Sequence, residues 1–315
     1  MAIIQPLKRY SLRTSIKHHP LLTYFGFTYL LTWLCWFALV IFLPGGFQTG
    51  GTTAGSSHPS PLYLLFPLGN LVPSIIGIIL TRIVAGRGSL RTLFGQVVRW
   101  RVNPGWYVVA LFLAPLLTVG TLALSVALGG SVPASSIAAI AGSALTGAIL
   151  APLGEELGWR GFALPRLQAQ GSALGASIVL GLLWGIWHVP IWIWGTTASP
   201  TLFIPDLGLR VLTITAEAVL LTWVFNNTGG SLLLTILFHA SITATSYYPF
   251  PQQPSTTGSW EPTLLYLGLL WAVVLVVVVI YGPRRLMRKH PSDHIQEAVG
   301  GQKAGTASPP DGHVF

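Results

Sequence analysis

The sequence predicts an all-α fold, a polytopic membrane helical bundle with about eight transmembrane helices, on three observations. Apolar runs of about 20 residues, long enough to cross a bilayer as helix, recur along the whole chain. Hydrophobic residues make up 52% of the 315 positions and charged ones 8%, with a mean hydropathy of +0.66, which is too apolar for a water-soluble domain of this size. The basic residues, finally, alternate between consecutive loops in the pattern that fixes membrane topology.

The runs fall at 22–43, 62–82, 106–128, 137–164, 174–194, 207–225, 231–247 and 262–281, the seventh being short for a simple crossing. Lys8, Arg9, Arg13 and Lys17 precede the first run, and no small-residue cleavage pattern follows it, so it reads as an uncleaved first span. The loop 44–61 has no Lys or Arg; the next carries Arg82, Arg87, Arg91, Arg99 and Arg101. The loop 129–134 again has none, and Arg166 follows the fourth run. No basic residue falls in 194–205 or 248–262, and Arg284, Arg285, Arg288 and Lys289 follow the eighth run. Because Lys and Arg collect on the cytoplasmic side, the alternation predicts that both termini are cytoplasmic. Arg210 is the exception, near an outer end, where one displaced boundary would account for it.

This divides the chain into a cytoplasmic N-terminal segment (1–21), spans one to three (22–133), a core of spans four to seven (134–247), span eight with its basic flank (262–289), and a polar tail rich in Gly, Pro and Ser expected to be disordered (290–315). The formal charge of +9 does not point to nucleic acid, since the basic residues lie between runs and form no basic-aromatic platform. A single cysteine, Cys35, inside the first run, excludes an intramolecular disulfide and a thiolate cluster. No transporter-type internal repeat is visible, which counts against a proton-coupled carrier using Glu155 and Glu217.

Ionisable groups inside a bilayer are expensive, and here they are few: Glu155, Glu156, Arg160, His188, Arg210, Glu217 and His239. Five of them lie in three segments, Gly154-Glu155-Glu156-Leu157-Gly158-Trp159-Arg160, Trp184-Gly185-Ile186-Trp187-His188 and Phe238-His239-Ala240-Ser241-Ile242-Thr243. At 1.5 Å per residue Glu155 lies roughly 13 Å inside the span end at Pro165 and His239 roughly 12 Å past Ser231, while His188 reaches roughly 16 Å if its crossing starts near Ser177. All three can then face one cavity open to the cytoplasm. Glu156 and Arg160, four apart with the acid first, share a helix face and read as a structural pair. Glu155, turned by about 100° from Glu156, is free to point into the cavity. A carboxylate in apolar surroundings is suited to take a proton from water near neutral pH, with a neutral imidazole sharing the task. His239 and the Thr243 hydroxyl, one turn on, could supply the donors that an oxyanion needs. Arg210 and Glu217, seven apart, are expected to form a second, merely structural pair.

Over roughly 134–246 these segments resemble the CPBP intramembrane protease family, which includes the type II CAAX prenyl proteases. The family pattern is Glu-Glu-x-x-x-Arg, an aromatic residue separated by three residues from a following His, and a His four before an Asn. Glu155, Glu156 and Arg160 fit the first element and His188 the second, with Trp184 in place of the usual Phe; His239 fits the third, with Thr243 where Asn is typical. The stretch Trp223-Val224-Phe225-Asn226-Asn227-Thr228-Gly229-Gly230 is also similar to family sequence. The resemblance implies an all-helical membrane endopeptidase in which Glu155 and His188 activate water while His239 and Thr243 hold the oxyanion. It leaves the cofactor open between none and zinc, for which Glu155, His188 and His239 would be the three protein ligands.

The expected function is hydrolysis of a membrane-proximal or lipid-modified, CAAX-like peptide, with the bilayer and a peptide or prenylated protein as partners and no nucleic acid. The alternative is an inactive membrane immunity or secretion-partner protein of the same fold, with the cluster only holding helices together. Short loops and no targeting signal favour a bacterial cytoplasmic membrane.

Overall fold

The computed structural model describes residues 12–43, 60–130, 150–195, 200–246 and 261–287. Among them every regular element is helical: α1 (Leu12–His18), α2 (Pro20–Phe42), a 3-10 turn (Pro61–Leu64), α3 (Leu65–Ala85), α4 (Arg87–Val97), α5 (Gly105–Ala127), α6 (Leu150–Gly158), a π-helical turn (Trp159–Ala163), α7 (Leu164–Gln168), α8 (Ala173–Trp187), α9 (Val189–Gly195), α10 (Pro200–Asn227), α11 (Leu232–Ser246) and α12 (Glu261–Tyr281). Six stretches are long and apolar enough to cross a membrane, Pro20–Phe42, Pro61–Ala85, Gly105–Ala127, Ala173–Trp194, Ile204–Asn227 and Glu261–Tyr281. They fall on the expected spans one, two, three, five, six and eight. The seventh is the 15-residue α11, apolar but short. Leu22, Phe42, Leu116 and Val279 are among many large apolar side chains left exposed, the surface that lipid covers in a polytopic membrane protein. The expected polar tail lies outside the described residues, as do 137–149 of the fourth run.

The fourth run departs from a straight helix ending at Pro165. After α6 the chain makes a π turn in which the Leu164 N–H bonds to the Trp159 carbonyl, five residues back, and then continues through Pro165 into α7. Proline has no N–H to give the ladder and its ring crowds the carbonyl four residues before it, and a one-turn π-bulge absorbs both problems without ending the helix.

Two Gly-x-x-x-Gly pairs set the close packing on which the site rests. Gly154 and Gly158 place α6 against α3: a Cβ at Gly154 would stand 2.5 Å from the Asn70 carbonyl oxygen, and one at Gly77 would stand 2.8 Å from the Gly158 Cα. Ser74 Oγ seals the crossing by donating to the Leu153 carbonyl at 2.9 Å. Gly181 and Gly185 place α8 against α10, where a Cβ at Gly181 would meet the Thr215 Cα at 2.6 Å and one at Gly185 the Val211 Cα at 3.1 Å. In lipid there is little hydrophobic force between helices, so such backbone approach supplies the van der Waals contact that holds them. Gly158→Ala, whose methyl would press on the Pro73 carbonyl and the Tyr24 hydroxyl, should cost about 1–3 kcal/mol, read as a lower thermal unfolding midpoint in detergent. An unchanged midpoint would mean that the crossing is looser than described.

Candidate active site

Glu155 and Glu156 lie on α6, Arg160 in the π turn, Trp184 near the end of α8, His188 at its C-cap and His239 midway along α11. Glu155, Glu156, Arg160 and His239 are buried, and His188 and Thr243 are half-buried. The expected Glu156–Arg160 pair is present: Arg160 Nη1 donates to Glu156 Oε1 at 2.7 Å, with neither side chain exposed. That same oxygen stands 2.8 Å from His239 Nδ1. A carboxylate only accepts, so Nδ1 carries the proton and the ring turns Nε2 away from Glu156. Glu156 therefore joins α6 to α11 as well as neutralising the arginine.

Glu155 is held differently. Its Oε2 accepts from the indole of Trp184 at 2.7 Å and from that of Trp159 at 3.3 Å, while Oε1 makes no hydrogen bond among the described residues. Two rigid indole donors fix the carboxylate and leave one oxygen for a further partner. His188 Nδ1 donates to the Trp184 carbonyl at 2.8 Å; in the neutral ring Nε2 is then the unprotonated, basic nitrogen. The imidazole sits in an aromatic enclosure, stacked on Trp192 with ring centroids 5.4 Å apart and edge-on to Trp187 at 4.7 Å.

Trp184 is the hub that sequence reasoning did not single out. Besides its indole bond to Glu155 and its carbonyl bond to His188, its ring meets the edge of His239 at 5.0 Å and carries the Arg160 guanidinium over its face at 4.6 Å. Its aromatic position was legible, but its connections across three helices were not. Thr243 shares α11 with His239, and its hydroxyl donates to the His239 carbonyl at 3.0 Å, so reaching an oxyanion would require the hydroxyl to turn. The expected Arg210–Glu217 pair is not formed. The helix begins at Pro200 instead of 207, which brings Asp206 onto it, and Arg210 Nε pairs with Asp206 Oδ2 at 2.5 Å. One turn with acid before base outcompetes two turns.

Among the described residues no three His, Cys, Asp or Glu side chains converge in a way that would hold a metal ion. Glu155, His188 and His239 are thus not arranged as a zinc ligand set. The residues present do not fit that group.

The fold and the cluster define a multi-pass membrane protein with an acid–imidazole site inside its helical bundle. Residues 136–245, the segment that holds every one of these side chains, match the family described as type II CAAX prenyl endopeptidase Rce1-like. The chain is also 26% identical over 287 residues to CAAX prenyl protease 2 of Methanococcus maripaludis, covering 88% of this chain and 98% of the relative. Both findings support a place in the CPBP/CAAX protease family.

Proposed function

We propose that this protein is an intramembrane endopeptidase that hydrolyses a membrane-proximal or prenylated, CAAX-type peptide with a water activated by Glu155 and His188. The observation that carries the reading is the state of Glu155: one oxygen is fixed by two indoles and the other is unengaged among the described residues, and one of those indoles belongs to Trp184, whose carbonyl holds His188 and whose ring meets His239. Water bound at Oε1 gives a proton to Glu155 or to His188 Nε2 as its oxygen attacks the peptide carbonyl carbon. The carbonyl oxygen becomes an oxyanion facing His239, which Glu156 holds by Nδ1 and which donates from Nε2 when protonated there. The C–N bond then breaks, and the proton taken from water passes to the leaving amine. Thr243 contributes as a secondary donor once its hydroxyl turns from the His239 carbonyl; a single hydroxyl offers less than the two-hydrogen amide usual at that position.

The peptide enters from the side that carries the Lys and Arg loops, which the charge pattern makes cytoplasmic, with both termini on that side. The relative's printed name, a CAAX prenyl protease, supports the substrate class. The engaged Thr243 hydroxyl favours one second reading, an inactive membrane partner protein of the same fold. The discriminating experiment is cleavage of one fluorogenic CAAX peptide, with and without a farnesyl group, by the detergent-purified protein. Cleavage of the farnesylated form, with the unmodified peptide at least about tenfold slower in kcat/KM, is expected. Turnover of neither peptide would defeat the prenyl-peptidase reading.

A further inference from the structure

Arg210 breaks the topology pattern, and the helix that carries it starts at Pro200, so a displaced boundary does not take it out of the span. The apolar stretch of that helix begins at Ile204, which puts Arg210 roughly 9 Å inside it at 1.5 Å per residue. An ionisable side chain within a span is costly, and such residues mark function by default. Asp206 neutralises this one, accepting from Nε at 2.5 Å. The guanidinium carbon lies over the ring of Trp192, 5.6 Å from its centroid and within cation–π range.

Trp192 is in turn tied to His188. The chain leaves α8 at His188, and the next turn closes with the Trp192 N–H bonded to the His188 carbonyl at 3.2 Å. Side chains four apart on such a turn share a face, and here the indole lies almost parallel to the imidazole, with 13° between the planes and 5.4 Å between centroids. The second glycine crossing brings α8 and α10 together at this level, since a Cβ at Gly185 would meet Val211, the neighbour of Arg210. Contacts therefore run from Asp206 and Arg210 on α10, through Trp192 on α9, to the imidazole at the end of α8.

The stack does what the hydrogen bond on His188 does not. Nδ1 is fixed by the Trp184 carbonyl, but one bond leaves the ring able to rock about it, and rocking displaces Nε2. A flat partner suppresses that motion, and a reacting group misplaced by about 1 Å loses up to about 10²-fold in rate.

We infer that Trp192 is a positioning residue for His188 and that the Asp206–Arg210 pair holds Trp192 against it. This rests on the hydrolytic reading above, and none of the family motifs quoted for this chain contains these three residues.

The test combines kinetics with a signal that needs no turnover. In Trp192→Leu, kcat for the farnesylated peptide should fall on the order of tenfold while KM stays within about twofold. Trp192→Phe, which keeps a flat ring, should restore most of kcat. Arg210→Met combined with Asp206→Asn, which strands no charge, should lower kcat about threefold and lower it no further when Trp192→Leu is already present. The His188 ring-proton resonances, assigned by comparison with His188→Gln, should lose part of their indole ring-current shift in Trp192→Leu and in the Arg210→Met, Asp206→Asn variant. Wild-type kcat in Trp192→Leu would overturn the inference and leave the hydrolytic reading intact. So would a loss that Phe does not restore and that follows the thermal midpoint, the mark of a merely structural residue. Equal losses from the Arg210→Met, Asp206→Asn change with and without Trp192 would remove the pair from it. If Trp192→Leu fails to fold, unmoved His188 signals in the Arg210→Met, Asp206→Asn variant overturn the linkage. A wild type that cleaves nothing defeats the hydrolytic reading and, with it, the positioning role, while the His188 signals still report whether the stack exists.

Discussion

Glu155→Gln is expected to lower kcat for the farnesylated peptide by on the order of 10³-fold, within the range for removal of a general base, while the thermal midpoint in detergent stays that of the wild type. The amide keeps the shape of the carboxylate and still offers a carbonyl oxygen to the indoles of Trp184 and Trp159, so the packing is preserved. It cannot accept a proton from water at Oε1. A variant that retained turnover to within about tenfold would remove Glu155 from the reaction. A variant that lost its folded state instead would show the carboxylate to be a helix fastener, as the inactive-partner reading requires.

The second large effect concerns stability. Arg160 and Glu156 are both fully buried and in direct contact. Arg160→Met leaves the Glu156 carboxylate without its cation in a low-dielectric interior, and breaking a buried pair from one side costs about 3–5 kcal/mol. The cation over the Trp184 ring is lost as well. Chemical or thermal unfolding in detergent should therefore show Arg160→Met as strongly destabilised. Adding Glu156→Gln should return at least half of the loss, because the stranded charge is then gone. Turnover should stay low in the double variant, since His239 has lost the carboxylate that orients it. A single Arg160→Met as stable as the wild type would show that Glu156 holds a proton or another partner in place of the arginine.

These two effects differ in how far they could be read in advance. Glu156 and Arg160 are one helical turn apart, and an i, i+4 contact needs nothing beyond local geometry, so their pairing was legible. The same rule also predicts Arg210 with Asp206, but the expected start of span six at 207 left Asp206 outside the helix, and Glu217 was assigned in its stead. The helix start was hidden by Pro200 and Pro205, which read as loop residues and here lie at the start and inside the first turns of α10. The two Gly-x-x-x-Gly pairs were visible as letters, but which helix each meets is a matter of topology.

What the sequence by itself determined is the solvent and the inventory. Apolar runs of bilayer length and alternating basic loops specify a polytopic helical membrane protein, because backbone groups in lipid can be satisfied only within helices and charges are excluded from its core. The same exclusion makes each ionisable residue that does lie within a run stand out, so Glu155, Glu156, Arg160, His188, Glu217 and His239 could be named before any coordinates. Only the tertiary structure decided who meets whom. The indole of Trp184 on Glu155, and Glu156 shared between Arg160 and His239, join residues on α6, the π turn, α8 and α11. Contacts of that kind depend on helix crossings fixed by glycines and on the phase change at the π turn, neither of which a one-dimensional pattern specifies.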